Sequence, residues 1–106
     1  MFVILWEFEV KPGCEQSFES AYGPGGAWVQ LFRRNPGYRN TLLLRDPSRP
    51  RIYLTLDFWH SESAFQSFHN ANLKAYAALD RTTEDLTLRE THLGSFNQTV
   101  PNDPSV

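Results

Sequence analysis

Cysteine is nearly absent. The single Cys14 leaves no partner for an intramolecular disulfide and no thiol cluster for zinc, so a reducing cytoplasm is the expected setting. No apolar run approaches the roughly 20 residues that span a bilayer. The opening Met-Phe-Val-Ile-Leu-Trp is apolar, but it lacks a basic n-region and meets Glu7 too early for a signal peptide. Neither sign of charge dominates. The formal net charge is −2 at pH 7, which argues against non-specific attraction to nucleic acid or to an anionic membrane. Arginines do gather between Arg33 and Arg51, and they read as solvated charges on loops and strand ends. There is no Gly-x-Ser-x-Gly elbow, phosphate loop or dinucleotide fingerprint, and no internal repeat.

Aromatic rings, in contrast, are abundant: eight Phe, four Tyr and three Trp in 106 residues. A chain of this length forms one domain and buries only about 60–70% of its unfolded surface. Each buried ring removes roughly 150–250 Å² from water. Some rings are therefore expected to line a pocket or a subunit interface.

Alternation and breakers organise the chain. Phe2, Ile4, Trp6, Phe8 and Val10 alternate with Val3, Leu5, Glu7 and Glu9, the period of a strand. Lys11-Pro12-Gly13 ends it. Cys14 to Tyr22 predicts a short helix, broken by Gly23-Pro24-Gly25-Gly26, and Ala27 to Arg34 predicts a second piece stopped by Asn35-Pro36-Gly37. Tyr38 to Arg45 and Arg51 to Trp59 predict a hairpin around a turn containing Pro47 and Pro50. Ser61 is placed as an N-cap, with Glu62 in the first turn. The helix it opens is expected to reach about Glu84, with a bend near Asn70-Ala71-Asn72. Leu86 to Phe96 returns as a strand with a bend at Gly94. Residues 97–106 have little to bury and are expected to be a frayed tail, leaving residues 1–96 as the domain.

The order β-α-β-β-α-β defines an α+β, ferredoxin-like plan: a four-stranded antiparallel sheet with its helices on one face. The expected helix-facing side holds Ile4, Trp6, Phe8, Leu54, Leu56 and Phe58. The open side then holds Val3, Leu5, Glu7, Glu9, Tyr53, Thr55, Asp57 and Trp59. Its apolar members suit burial against a second copy, so a homodimer through the open sheet face is expected. The carboxylates there would need partners, for which Arg45 and Arg89 are candidates. The same order builds the RNA-recognition motif. Here the third strand has no glycine, and Asp57 would repel phosphate, so that reading is set aside.

Trp6, Trp28, Phe32, Phe65, Phe68 and Tyr76 are the candidate pocket rings for a planar ligand. The Gly-Pro-Gly-Gly break beside them is positioned to act as a lid joint. His69 shares the helical stripe of Phe65, Leu73 and Tyr76, and an imidazole is the side chain suited to proton transfer near neutral pH, so it is the candidate catalytic base. Ordinary core packing for the rings, and a solvent-facing edge for His69, are the alternatives. His60 and His92 have no Cys or carboxylate at metal-ligand spacing.

Several stretches together resemble the antibiotic biosynthesis monooxygenase domain of the dimeric α/β-barrel superfamily. These are Tyr22 to Trp28, Leu31 to Tyr38, Leu43 to Asp46, Tyr53 to Trp59, Ser63 to Phe65, Tyr76 to Asp80, Arg89 to Thr91 and Leu93 to Phe96. The resemblance implies a homodimer whose two sheets face each other and a pocket between sheet and helices in each subunit. Haem-degrading members of that superfamily carry an Asn, a Trp and an iron-ligating His at positions that fall on Trp6, Phe68 and Ala78 here. None is retained. The other activity the resemblance implies is oxygenation of an aromatic or quinone-like small molecule without a cofactor. A non-catalytic dimeric small-molecule-binding or structural protein of the same fold is the alternative.

Overall fold

The strands expected from alternation all form, and they pair antiparallel throughout. The computed structural model describes residues 1–99. Strand β1 (Phe2–Val10) is followed by helices α1 (Glu15–Tyr22) and α2 (Ala27–Phe32). The hairpin β2 (Tyr38–Arg45) and β3 (Ile52–Trp59) comes next, then helices α3 (Glu62–Ala71) and α4 (Leu73–Thr83). A single 3₁₀ turn, Glu84–Leu86, leads into β4 (Thr87–Asn97). The sheet order is β2-β3-β1-β4, the ferredoxin-like α+β arrangement. Of the tail expected at 97–106, Asn97 closes β4, Gln98 donates its backbone N–H to the Met1 carbonyl at 2.7 Å, and residues 100–106 lie outside the described residues.

Local chemistry sets the element ends. The Ser61 hydroxyl accepts the Ala64 backbone N–H at 3.1 Å, capping α3. The helix breaks where expected: the Asn72 side chain donates back to the Phe68 carbonyl at 2.8 Å, and α4 restarts at Leu73. Helix α2 stops at Phe32, two residues short of the expected end. The bonds Arg34 N–H to Leu31 and Asn35 N–H to Phe32 span only three residues and tighten the chain into a turn. The Gly-Pro-Gly-Gly break is a corner exposed at Pro24 and Gly25 and closely packed at Gly26. Gly26 donates to the Gly23 carbonyl at 2.9 Å, and a side chain on Gly26 would strike the carbonyls of Ser20 and Ala21. In β4 the register slips opposite Leu5 and Trp6, beside Gly94 at φ +152°, a backbone conformation suited to glycine.

The register corrects the faces expected for β3. Directly opposed residues share a face, and the pairs are Phe2 with Trp59, Ile4 with Asp57, Trp6 with Thr55 and Phe8 with Tyr53. Tyr53, Thr55, Asp57 and Trp59 therefore face the helices. Leu54, Leu56 and Phe58 face away, beside Val3 and Leu5. Trp59 is fully buried and does not belong to the open face. Of the two arginines offered as partners, Arg89 sits 3.5 Å from Glu7 and 3.7 Å from Glu9. Arg45 pairs instead with Glu19 on α1, at 3.7 Å. Asp57 has neither.

Rings interlock over the β2–β3 half of the helix-facing side. The centroid of Trp59 lies 5.1 Å from Phe68, 5.3 Å from Phe65 and 5.5 Å from Phe32. Its indole N–H is buried without a hydrogen-bond partner among the described residues, a cost of about 1–3 kcal/mol offset by the ring contacts.

Candidate functional site

Toward β1 and β4 the ring packing opens into a cavity of about 320 Å³, at the small end of the range for small-molecule pockets. Its floor is the sheet: Trp6 and Phe8 from β1, Thr55 and Asp57 from β3, and Glu90 from β4. Its roof is Tyr22 from α1, Trp28 and Phe32 from α2, and Tyr76 and Asp80 from α4.

Thr83 at the end of α4 ties the roof together. Its hydroxyl donates to the Leu79 carbonyl at 3.0 Å, and it accepts the Tyr22 hydroxyl at 3.2 Å and the Trp28 indole N–H at 3.4 Å. The polar ends of both rings are thus satisfied by Thr83, which is not among the cavity residues. Burial holds the Tyr22 phenol far above its ordinary value, so it stays a neutral donor. Trp28 meets Tyr76 edge-on at 4.9 Å. The Tyr76 hydroxyl makes no hydrogen bond among the described residues, and burial, with Asp80, Asp57 and Glu90 nearby, pushes it up to about 12. Trp6 stacks on Phe8 at 6.3 Å and lies 5.1 Å from the His92 ring.

Asp57 is the polar group set among these rings. The Thr41 hydroxyl on β2 donates to Asp57 Oδ1 at 2.7 Å. Thr41 has one hydroxyl proton, so the Tyr38 hydroxyl, 2.8 Å away, must donate to Thr41. Hydrogens therefore run from Tyr38 to Thr41 to Asp57. Burial pushes the Asp57 carboxyl up to about 6, against the smaller opposing effect of the Thr41 bond. At the mouth, burial and the charges of Asp80 and Glu84 hold Glu90 above the usual carboxylate range.

Four of the rings singled out from sequence, Trp6, Trp28, Phe32 and Tyr76, line this cavity. Phe68 lies behind it, fully buried against Phe32 and Trp59. Phe65 packs on Trp59 outside the lining. His69 is also outside it, separated by Tyr76, whose ring it meets edge-on at 5.0 Å. Sequence reasoning missed Asp57, because hydropathy assigned β3 the wrong phase. A signal was present: small polar Thr55 and Asp57 lie on one stripe between bulky Tyr53 and Trp59, the pattern of a gap between rings.

The fold and the ring-walled cavity define a small α+β, ferredoxin-like domain. The chain belongs to the antibiotic biosynthesis monooxygenase family, whose model matches residues 1–78. Among curated proteins, none matches the chain by sequence. Solved structures do match in fold. SnoaB, a cofactor-independent oxygenase from Streptomyces nogalater, is 23% identical at a TM-score of 0.74, over 95% of this chain and 97% of that one. A protein assigned to the antibiotic biosynthesis monooxygenases from Deinococcus radiodurans is 12% identical at a TM-score of 0.77, over 97% of both chains. A variant of MhuD, bound to two manganese protoporphyrin IX molecules per active site, is 20% identical at a TM-score of 0.72, over 97% of this chain and 99% of that one.

The lining does not fit the haem-degrading arrangement. Ala78 is exposed, Phe68 is core, and no imidazole is among the cavity residues. No helix among the described residues is long and apolar enough to cross a membrane.

Proposed function

We propose that this protein is a cofactor-independent monooxygenase that holds an aromatic or quinone-like small molecule between its sheet and helices. The observation that carries the reading is the cavity itself: flat walls of Trp6, Trp28, Phe32 and Tyr76 around a carboxylate, with the polar ends of Trp28 and Tyr22 already satisfied. Family membership and an oxygenase among the fold relatives support it.

The chemistry needs no external reductant. A ring CH₂ or phenol gives up a proton, and the resulting enolate or phenolate passes one electron to O₂. The radical pair then closes a C–O bond, and the peroxide takes back a proton. Loss of water breaks the O–O bond as the C–H proton remaining on that carbon leaves, so a CH₂, or a phenol O–H and its ring C–H, together with O₂ become the carbonyl product and H₂O. The protein's tasks are to exclude water, orient the plane of the ligand and accept the proton.

The working form in this reading is a homodimer, in a reducing cytoplasm. Leu42, Leu44 and Phe96 are 43%, 47% and 53% exposed, and their pairing puts them on the open face beside Leu5, Leu54 and Leu56. A continuous apolar patch of this kind is suited to a second copy.

Oxygen uptake with a panel of hydroxylated two- and three-ring substrates, without added metal or flavin, tests the activity. Uptake that falls in Trp28→Ala and Tyr76→Ala supports it. Tight binding of the same compounds with no uptake would instead establish a binding protein.

A further inference from the structure

We propose that Asp57 is the proton acceptor of the cavity, that Thr41 positions it, and that its ligand enters as a neutral planar molecule carrying an acidic C–H or O–H. This rests on the monooxygenase reading and names the group that performs its first step.

Three features of the geometry support it. First, Asp57 lies in the cavity floor opposite the aromatic roof, where a planar ligand would present its edge. Second, its two oxygens are not equivalent. The Tyr38–Thr41 hydroxyl chain engages Oδ1, while Oδ2 has no hydrogen-bond partner among the described residues and is free to take a proton. Third, the titratable groups of the cavity lining are acids or phenols: Tyr22 from α1, Tyr76 and Asp80 from α4, and Glu90 from β4, with Tyr38 behind Thr41 on β2; outside the lining, His92 of β4 lies 5.1 Å from Trp6 and His69 of α3 lies 5.0 Å from Tyr76. No Lys or Arg is among the lining residues. An anionic ligand would meet like charge there, whereas a neutral one passes its proton to a carboxylate and becomes an anion only once enclosed. Burial, which raises the affinity of Asp57 for a proton, brings it nearer to a carbon or phenol acid than an exposed carboxylate would be.

The test separates proton abstraction from oxygenation. Anthrone, a neutral three-ring ketone with one acidic CH₂, is incubated with the protein in D₂O without oxygen, and deuterium entry at that carbon is followed by NMR. Wild type is expected to accelerate exchange, and Asp57→Asn to lose it by about 10²–10⁴-fold. The rate should rise with pH through about 6. In Thr41→Val the midpoint should move upward, because the hydroxyl that favours the charged carboxylate is gone; a merely structural Thr41 would leave it in place. Anthracene-2-carboxylate should bind at least about tenfold more weakly than a neutral three-ring ligand.

Exchange without oxygen uptake would keep this assignment and end the oxygenase reading. Oxygen uptake undiminished in Asp57→Asn would end this assignment and keep the reading. Three further results overturn it: no exchange in wild type, loss of exchange in His69→Ala with Asp57→Asn unaffected, or a pH limb that survives Asp57→Asn and disappears in Glu90→Gln.

Discussion

The two halves of the sheet–helix interface are built from the same kinds of ring and behave oppositely. Over β2 and β3, the rings of Phe32, Phe65, Phe68 and Trp59 close on one another. Toward β1 and β4, Trp6, Trp28 and Tyr76 stand around a space that shares Phe32 with the closed half and has the Asp57 carboxylate of β3 in its floor. Ring count does not distinguish the halves; what the rings are fastened to does. In the closed half a ring's neighbours are other rings, and even an unpartnered indole N–H is tolerated. In the open half, Thr83 draws the polar ends of Tyr22 and Trp28 toward α4, and short Thr55 and Asp57 lie where another ring would have filled the gap.

Three substitutions sharpen that contrast. The largest effect is expected in the closed half. Phe68→Ala removes a fully buried ring and should lower unfolding free energy by about 3–5 kcal/mol in urea titration. The next lies in the open half, with the opposite sign. The Asp57 carboxyl titrates at about 6 in the folded chain against an ordinary 3.8, so the folded state binds the proton more tightly. Stability therefore falls as pH rises through that window. Asp57→Asn removes this half-buried charge and should stabilise the protein at pH 8, by at most about 3 kcal/mol. The gain should fade as pH falls from 6 to 4, where the wild-type carboxyl is protonated as well. Thermal unfolding across pH measures it. The smallest effect is Thr83→Val, which strands the Tyr22 and Trp28 donors and should cost about 1–2 kcal/mol in urea titration.

Much of this arrangement could be read from residue order. Ser61, the Pro-Gly breaks and the Asn70–Asn72 bend mark the helix limits through capping and backbone geometry, which are local. The phase of β3 is not local. Leu54, Leu56 and Phe58 are more apolar than Tyr53, Thr55, Asp57 and Trp59, so hydropathy alone turns the strand over. With apolar residues on both faces, alternation gives the period and leaves the side undecided; the pairing of Phe2 with Trp59 decides it. The candidate site followed the same division. Trp6, Trp28, Phe32 and Tyr76 were legible as rings on helix-facing stripes. Asp57 was hidden by the inverted strand, and the separation of His69 from the cavity depends on where Tyr76 turns its ring.

The central claim is that a planar ligand occupies the open half and leaves the closed half untouched. The chain's three tryptophans report on it separately, since Trp6 and Trp28 line the cavity and Trp59 is sealed in the ring cluster. Titration with anthraquinone, followed by the indole N–H resonances, should shift Trp6 and Trp28 in a saturable manner and leave Trp59 in place. Saturable binding that moves none of the three, or that moves Trp59 with the others, would contradict the account.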